Sequence, residues 1–178
     1  KLGDTTFPFV RGYAWADVGV GSARIRFITT HLESQSAKLA RTQAAELLNG
    51  PAGNTGLSTV IACDCNSNPA SPAARSGLPI GSGAAYRLIT DGHGFTDVWL
   101  QQAGRDGSGD TASLSELVND QTADFERRID LVLARSADPT RIVASHAEVT
   151  GDELSDRDPM SKLWPSDHAG VVVELRID

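Results

Sequence analysis

The stretch Leu57-Ser-Thr-Val-Ile-Ala-Cys-Asp-Cys-Asn-Ser-Asn-Pro69 begins as a short apolar run and ends in polar residues. A bounded apolar run of this length is typical of a buried β-strand, and the polar residues and proline predict a loop after it. Because side chains alternate along a strand, Asp64 and Asn66 are predicted to share one face, and Cys63 and Cys65 the opposite, core-facing one. Polar groups at the end of a buried strand need a partner or a ligand, which makes this strand end a candidate functional site.

Outward from this strand, the chain predicts further strands with helices inserted between them. Two β-type runs, 10–20 and 23–32, are separated by a short turn that suits an antiparallel hairpin. Apolar residues at helical spacing predict a helix over 36–49, which opens with a serine and stops before Gly50-Pro51. The remaining predicted elements are a short helix and a β-type run within 84–100, and strands at 127–134, 141–149 and 170–177. This pattern favours an α/β sandwich over a helix bundle or a doubly wound sheet.

The composition predicts one globular domain over residues 1–178, with 40% hydrophobic and 22% charged residues. No apolar stretch approaches the roughly 20 residues that a membrane span needs. The formal net charge of −7 opposes polyanion binding through a broad basic surface. An anionic substrate is still compatible with this charge, because acidic side chains that bind a divalent cation create a positive local potential.

The two cysteines are expected to pack in the core as small apolar side chains. A metal site would need further cysteine or histidine ligands at suitable spacing, and the four histidines are scattered along the chain. A thiolate metal site is therefore not expected.

Four polar clusters interrupt or end the apolar β-type runs, at 29–33, 64–69, 128–133 and 166–168. Burying an ionisable group in a strand is costly unless the group is paired or bound to a metal. Four such placements in one small domain suggest that the clusters converge on a single site.

Each cluster also has an ordinary structural explanation. Asp64 and Asn66 fit an Asx-turn that leaves the strand. Asp130 fits an ion pair with a neighbouring arginine, either Arg127 or Arg128. His31 fits a strand-end histidine bonded to the backbone. Taken one at a time, the clusters leave these alternatives open.

The content and order of five motifs resemble the endonuclease/exonuclease/phosphatase superfamily, the fold of pancreatic-type deoxyribonuclease, abasic-site endonuclease and bacterial sphingomyelinase. The motifs are Thr-His-Leu-Glu-Ser at 30–34, Asp-Cys-Asn-Ser-Asn-Pro at 64–69, Phe-Thr-Asp-Val-Trp at 95–99, Arg-Ile-Asp-Leu-Val-Leu at 128–133 and Ser-Asp-His at 166–168. The resemblance implies an α/β (α+β) fold, a partial four-layer α/β/β/α sandwich of mixed, mainly antiparallel sheets that lacks its N-terminal part.

The resemblance implies a role for each polar residue. Asp64 would position or deprotonate the attacking water, and Asn66 would stabilise the pentacoordinate phosphorane. His168, held by Asp130, would contact the phosphate or carry a proton. His31 would be a second catalytic histidine.

The implied cofactor is Mg²⁺ or Mn²⁺, with Asp167 in contact with the metal or its waters. Relatives normally carry an Asn-bearing strand and the principal metal-binding Glu in their N-terminal half. Nothing before Val10 can provide them, and Glu33 is at the wrong position to do so. The chain also lacks an initiating Met, so a processed or trimmed C-terminal portion of the domain is expected.

The expected function is metal-dependent hydrolysis of a phosphoester by the complete protein, with a phosphodiester favoured. The substrate class stays open among nucleic acid, phospholipid and small phosphoesters. The alternatives are a catalytically inactive fragment or binding module of the same fold, and a phosphomonoesterase. An exposed sandwich face would be covered by the missing N-terminal half or a second copy. The compartment is open, with a preference for a secreted bacterial protein by resemblance.

Overall fold

The computed structural model describes residues 10–71, 82–101 and 108–178. The described elements are, in chain order, β1 Tyr13–Val20, β2 Ala23–His31, α1 Ala37–Asn49, β3 Ser58–Asp64, α2 Ala84–His93, β4 Thr96–Asp97, β5 Asp130–Arg135, β6 Ile142–Thr150 and β7 Gly170–Ile177. Short 3₁₀ turns occupy Trp99–Gln101 and Leu154–Asp156. The predicted hairpin, helices and strands are confirmed, although β5 begins three residues later than the apolar pattern indicated.

The main sheet has the strand order β1-β2-β3-β5-β4. Strands β2 and β3 are parallel, and the other neighbours are antiparallel. Helix α1 makes the crossover from β2 to β3, since parallel neighbours cannot be joined by a tight turn. The register sets His31 opposite Asp64, and Asp64 opposite Asp130. Three adjacent strands therefore bring three polar residues to one end of the sheet.

Helices α1 and α2 cover one face of this sheet. The buried side chains of α1 face buried residues of β2, β3 and β5, including Ile28, Ile61 and Leu133. Ile89 of α2 belongs to the same cluster. No helix in the described ranges combines the length and apolar character needed to cross a membrane.

Strands β6 and β7 form a separate antiparallel pair on the other face of the main sheet. Their contacts with it form a second apolar cluster, which includes Ile25, Val60, Ala134, Ile142 and Ala144. The described residues therefore form helix, five-stranded sheet and two-stranded sheet layers. The predicted α/β sandwich of mixed, mainly antiparallel sheets is confirmed.

The β6–β7 side of the main sheet leaves apolar residues exposed on β1 and β2. Phe27 lies on the same face as Ile25, and Val18 pairs with Ile25 across the hairpin. Phe27 and Val18 are each 42% exposed, and Val20 is 41% exposed. We call these three residues the open face.

The cysteines require a correction. Both are buried, as predicted, but Cys63 and Cys65 are joined by a disulfide bond. Residues two apart along a strand share a face, so the core-facing direction that predicts packing also places the two sulfur atoms side by side.

Helix α1 provides a stability prediction at its N-cap. The Ser36 hydroxyl accepts a hydrogen bond from the Leu39 N–H at 3.3 Å. Ser36→Ala should lower the free energy of unfolding by about 1 kcal/mol, because a backbone N–H of the first turn loses its partner. Urea denaturation measures this difference. Ser34→Ala, which removes a hydroxyl outside the helix, should change stability by less than about 0.5 kcal/mol, and equal effects of the two substitutions would contradict the capping role.

Candidate active site

Four of the six predicted site residues meet at the end of the main sheet. The sheet register brings His31, Asp64 and Asp130 together, and His168 reaches them from the segment that precedes β7. Asp64, Asp130 and His168 each offer one ligand atom, and these atoms lie within 4.8 Å of one another. Their side chains are 19%, 22% and 29% exposed, so the group is recessed but reachable from solvent.

His168 is held by Asp130. Its Nδ1 lies 2.9 Å from Asp130 Oδ2. The ion pair that the sequence left open for Asp130 is not formed with Arg128, because that guanidinium binds Asp97, and Arg127 donates to Ser113. Asp130 is therefore available to orient the imidazole and to stabilise its protonated form.

Sequence reasoning missed Thr111, which fixes Asp130 in turn. The Thr111 hydroxyl donates to Asp130 Oδ2 at 2.6 Å, and Thr111 is fully buried. The Thr111 carbonyl accepts from the Ala169 N–H at 2.8 Å, next to His168. The same residue thus contacts both chain segments that carry the His168–Asp130 pair. The irregular segment around Thr111 has no strand or helix period that would have indicated this.

The site raises the pKa of His168. The hydrogen bond with Asp130 is the main cause, burial opposes it, and the charges of Asp130, Asp64 and Asp167 add to it. Protonation of His168 therefore stabilises the fold at pH values below the ordinary pKa of about 6.5 that the side chain has in the unfolded state. This contribution is lost as the pH rises through the higher pKa of the folded state.

An NMR titration of the histidine rings tests this arrangement. The midpoint for His168 should lie above 6.5 in the metal-free protein, and Asp130→Asn should lower it by removing the carboxylate. A His168→Asn variant assigns the signal. A wild-type midpoint at or below 6.5, or the same midpoint in Asp130→Asn, would contradict the pairing.

Asp64 lies in a different environment from that of Asp130. Burial raises its pKa, the charge of Asp130 raises it further, and the Asn66 N–H, His31 and His168 oppose the shift. His31 Nε2 lies 3.2 Å from Asp64 Oδ2. Asp64 is thus a carboxylate whose proton affinity is increased, as a group that takes a proton from water requires.

Asn66 forms the Asx-turn that the sequence left open. Its N–H donates to Asp64 Oδ1 at 3.0 Å, and its backbone is in the left-handed region with a φ of 44°. Its carboxamide donates to the Leu32 carbonyl at 3.0 Å, which ties the turn to the end of β2. This turn, and not strand alternation, sets the direction of the side chain. The amide has a second N–H that this bond does not use.

Asp167 is outside the group formed by Asp64, Asp130 and His168. It is half-buried, and Ser166 Oγ lies 3.4 Å from its Oδ1. Its charge still contributes to the raised pKa of His168. Its role as a metal contact stays a prediction.

The clustered donors fit a divalent cation. Two carboxylates and one imidazole provide oxygen and nitrogen ligands, which suit Mn²⁺ and, through the oxygens, Mg²⁺. A cleft of about 250 Å³ opens beside them between the two sheets. It is lined by Asp64 and Asp130 and by apolar residues such as Val132 and Val171.

Three solved structures illustrate what the chain is similar to. TDP2 from D. rerio, complexed with single strand DNA product, is 23% identical with a TM-score of 0.66, and the match covers 93% of this chain and 62% of that chain. Mannosyl-6-phosphatase Bt3783 from Bacteroides thetaiotaomicron VPI-5482 is 17% identical with a TM-score of 0.64, covering 93% and 57%. A protein from Leptotrichia buccalis C-1013-b, described as of the endonuclease/exonuclease/phosphatase family, is 16% identical with a TM-score of 0.59, covering 92% and 53%.

The matched part is almost all of this chain but only about three fifths or less of these three structures. No family model matches the sequence, and no curated protein matches it. The similarity is thus one of fold.

Proposed function

We propose that this chain, which has the fold of the endonuclease/exonuclease/phosphatase superfamily, is the C-terminal portion of a metal-dependent phosphodiester hydrolase. The observation that carries the proposal is the hydrogen-bonded pair of His168 and Asp130 beside Asp64 and its Asx-turn. This arrangement offers a proton acceptor and a cationic imidazole on one side of a cleft, which hydrolysis of an anionic ester needs.

Asp64 orients the attacking water and accepts its proton as the oxygen approaches phosphorus. Burial and the nearby charge of Asp130 raise the pKa of Asp64, which brings its basicity closer to that of an effective general base at neutral pH. The Asn66 N–H holds Oδ1, so the carboxylate is fixed before substrate arrives. The proton therefore moves to a group whose position is already set.

His168 meets the substrate as a cation. Its Nδ1 is bonded to Asp130, which leaves Nε2 to donate to a phosphoryl oxygen or to the leaving oxygen. The second N–H of the Asn66 amide donates to the same developing charge. His31, at the end of β2, is the second catalytic histidine. Each of these groups interacts more strongly with the pentacoordinate state than with the ground state of the substrate.

Mg²⁺ or Mn²⁺ would supply positive charge that stabilises the phosphorane and the leaving oxygen. Asp167 would contact the ion or its waters, and the principal Glu ligand would come from outside these 178 residues. The carboxylates of Asp64 and Asp130 lie at the same end of the sheet and support a divalent cation there.

The open face supports the proposal that residues 1–178 are one portion of a larger sandwich. Phe27, Val18 and Val20 are apolar and exposed on the side of the main sheet where a second sheet packs. The missing N-terminal half, or a second copy, would cover them. An intact gene product of 178 residues that is monomeric in sedimentation analysis would contradict this part of the proposal.

Substrate screening of the complete protein tests the activity. Single-stranded DNA, sphingomyelin, an inositol phosphate and bis(p-nitrophenyl) phosphate should be compared with Mg²⁺ and with EDTA. We expect turnover of at least one diester that EDTA abolishes and Mg²⁺ or Mn²⁺ restores. Turnover that resists EDTA would reject the metal mechanism, and no turnover of any substrate would favour an inactive binding module.

A phosphomonoesterase is the second candidate, because one structure of similar fold is a mannosyl-6-phosphatase. A hexose 6-phosphate added to the same screen separates the two functions. Preference for the monoester by more than about tenfold in kcat/KM, equivalent to about 1.4 kcal/mol of transition-state stabilisation, would replace the diester proposal.

A further inference from the structure

Arg11 lies between two residues of the Thr-His-Leu-Glu-Ser motif. Its guanidinium NH1 is 3.4 Å from His31 Nδ1, and its Nε is 3.7 Å from Glu33 Oε2. The proposed chemistry uses His31 but assigns nothing to Arg11 or Glu33. These contacts give both residues a place in the site.

Glu33 is a buried carboxylate that anchors the arginine. It is 8% exposed, and its Oε1 accepts from the Gln35 N–H at 2.8 Å. The Glu33 N–H donates to Gln43 Oε1 at 2.8 Å, which ties this turn to α1. This buried carboxylate is paired with the Arg11 guanidinium, whose Nε lies 3.7 Å away. The guanidinium is thereby held against His31.

The contact between Arg11 and His31 has one consistent pattern of donors. A guanidinium can only donate hydrogen bonds and stays charged, so His31 Nδ1 must be the acceptor. A neutral imidazole then carries its proton on Nε2, which lies 3.2 Å from Asp64 Oδ2. We propose that Arg11 is a positioning residue that fixes His31 as the Nε2–H tautomer, so that His31 donates to Asp64.

The consequence falls on Asp64. Its Oδ1 accepts from the Asn66 N–H, and its Oδ2 accepts from His31 Nε2–H. Both oxygens are then oriented, one by the Asx-turn and the other by a histidine whose own direction depends on Arg11. The contribution of these Arg11–His31–Asp64 contacts to catalysis rests on the proposed function. The tautomer of His31, however, can be measured without turnover.

Long-range ¹H–¹⁵N correlation of histidine-labelled, metal-free protein at a fixed pH of about 8 reads the tautomer, since imidazole is mostly neutral well above its ordinary pKa. With four histidines in the chain, a His31→Asn variant assigns the signal. Wild type should show a non-protonated Nδ1 and a protonated Nε2. Arg11→Met should shift the pattern toward a tautomer mixture, and Arg11→Lys, which keeps a cationic donor, should restore part of the wild-type pattern.

Arg24→Met is the matched control. Arg24 is an exposed arginine of the β1–β2 hairpin, and its guanidinium lies next to Asp17 and not next to His31. It should leave the His31 signals unchanged. Glu33→Gln, which removes the anchoring charge with little change of shape, should shift His31 in the same direction as Arg11→Met. It provides a second variant if Arg11→Met does not fold.

The outcomes separate this inference from the proposed function. Unchanged His31 nitrogens in folded Arg11→Met would overturn the positioning role, whatever happens to activity. In the complete enzyme, Arg11→Met should lower kcat by about tenfold or more, with partial recovery in Arg11→Lys. Loss of activity without a change of tautomer would overturn the inference and leave the phosphodiesterase proposal standing.

Discussion

We expect the Asp64→Asn substitution to lower kcat of the complete enzyme by roughly 10²- to 10⁴-fold, the range typical of a general base. Asparagine keeps an oxygen that can accept from the Asn66 N–H, so the Asx-turn survives. It cannot accept the proton of the attacking water. Steady-state kinetics with the diester identified by the screen measures the change.

The same substitution should leave the fold as stable as wild type, or more stable. Burial and Asp130 raise the pKa of Asp64, so its ionised form is disfavoured in the folded state and destabilises the fold increasingly as the pH rises through the unfolded value. Removing that charge removes the penalty at neutral pH. This combination of lost activity and unchanged or raised Tm distinguishes a catalytic carboxylate from a structural one.

Asp91→Asn is the control for Asp64→Asn, because it makes the same change at an exposed position of α2. Its kcat and Tm should match those of wild type. An Asp64→Asn enzyme with activity within about threefold of wild type would exclude Asp64 as the general base. A Tm several degrees lower would show instead that its carboxylate holds the fold together.

The strand ends of this site were predictable from the sequence because they depend on local pattern. The apolar run before Asp64 fixes β3, the runs around His31 and Asp130 fix its neighbours, and the sheet register then brings all three together. The resemblance of the five motifs was needed to favour a shared site over the ordinary structural explanations and to give each residue a role. The sandwich followed from the same pattern, since strands with helices inserted between them favour packed layers of helix and sheet.

The supporting contacts were not predictable because irregular segments provide them. Trp164 packs edge-on against Phe125 with ring centroids 5.8 Å apart, and its indole N–H donates to the Asp120 carbonyl at 2.9 Å. These contacts hold two segments without regular structure against each other, one leading to β5 and the other to His168. Thr111 reaches Asp130 beside isolated bridges that pair its neighbour Ala112 with Arg127 and with His168. No period in the sequence encodes it.

The contacts of Arg11 and Glu33 also could not be predicted from the sequence, although both residues lie close to the strand ends that were predicted. Glu33 follows β2, and its position in the sequence excluded it only as the expected metal ligand. Arg11 belongs to the approach to β1. Only the hairpin register places the guanidinium beside His31 and the buried carboxylate. The disulfide between Cys63 and Cys65 was missed for a different reason, since their shared face was recognised but not the proximity of the sulfur atoms.

The largest loss of stability is expected where Asp97 of β4 binds Arg128, just before β5. The two guanidinium nitrogens of Arg128 lie 3.2 and 2.7 Å from the two Asp97 oxygens, and the residues are 7% and 3% exposed. Asp97 Oδ1 also accepts from the Trp99 N–H at 3.1 Å. Asp97→Ala would leave a buried guanidinium without its anion, and should lower the free energy of unfolding by about 3 to 5 kcal/mol. Urea denaturation followed by tryptophan fluorescence measures the loss.

A double substitution separates the stabilisation that this ion pair provides from the destabilisation that a buried unpaired charge causes. Asp97→Ala combined with Arg128→Met removes both charges and should recover a substantial part of the stability that Asp97→Ala loses, because no buried ion is left without a partner. Asp178→Ala is the surface control. It removes an exposed ion pair with Arg176, and should cost less than about 1 kcal/mol. If Asp97→Ala lowers the free energy of unfolding no more than Asp178→Ala does, the Asp97–Arg128 pair does not hold β4 against β5. The start of β5, which carries Asp130, must then be fixed by Thr111 instead.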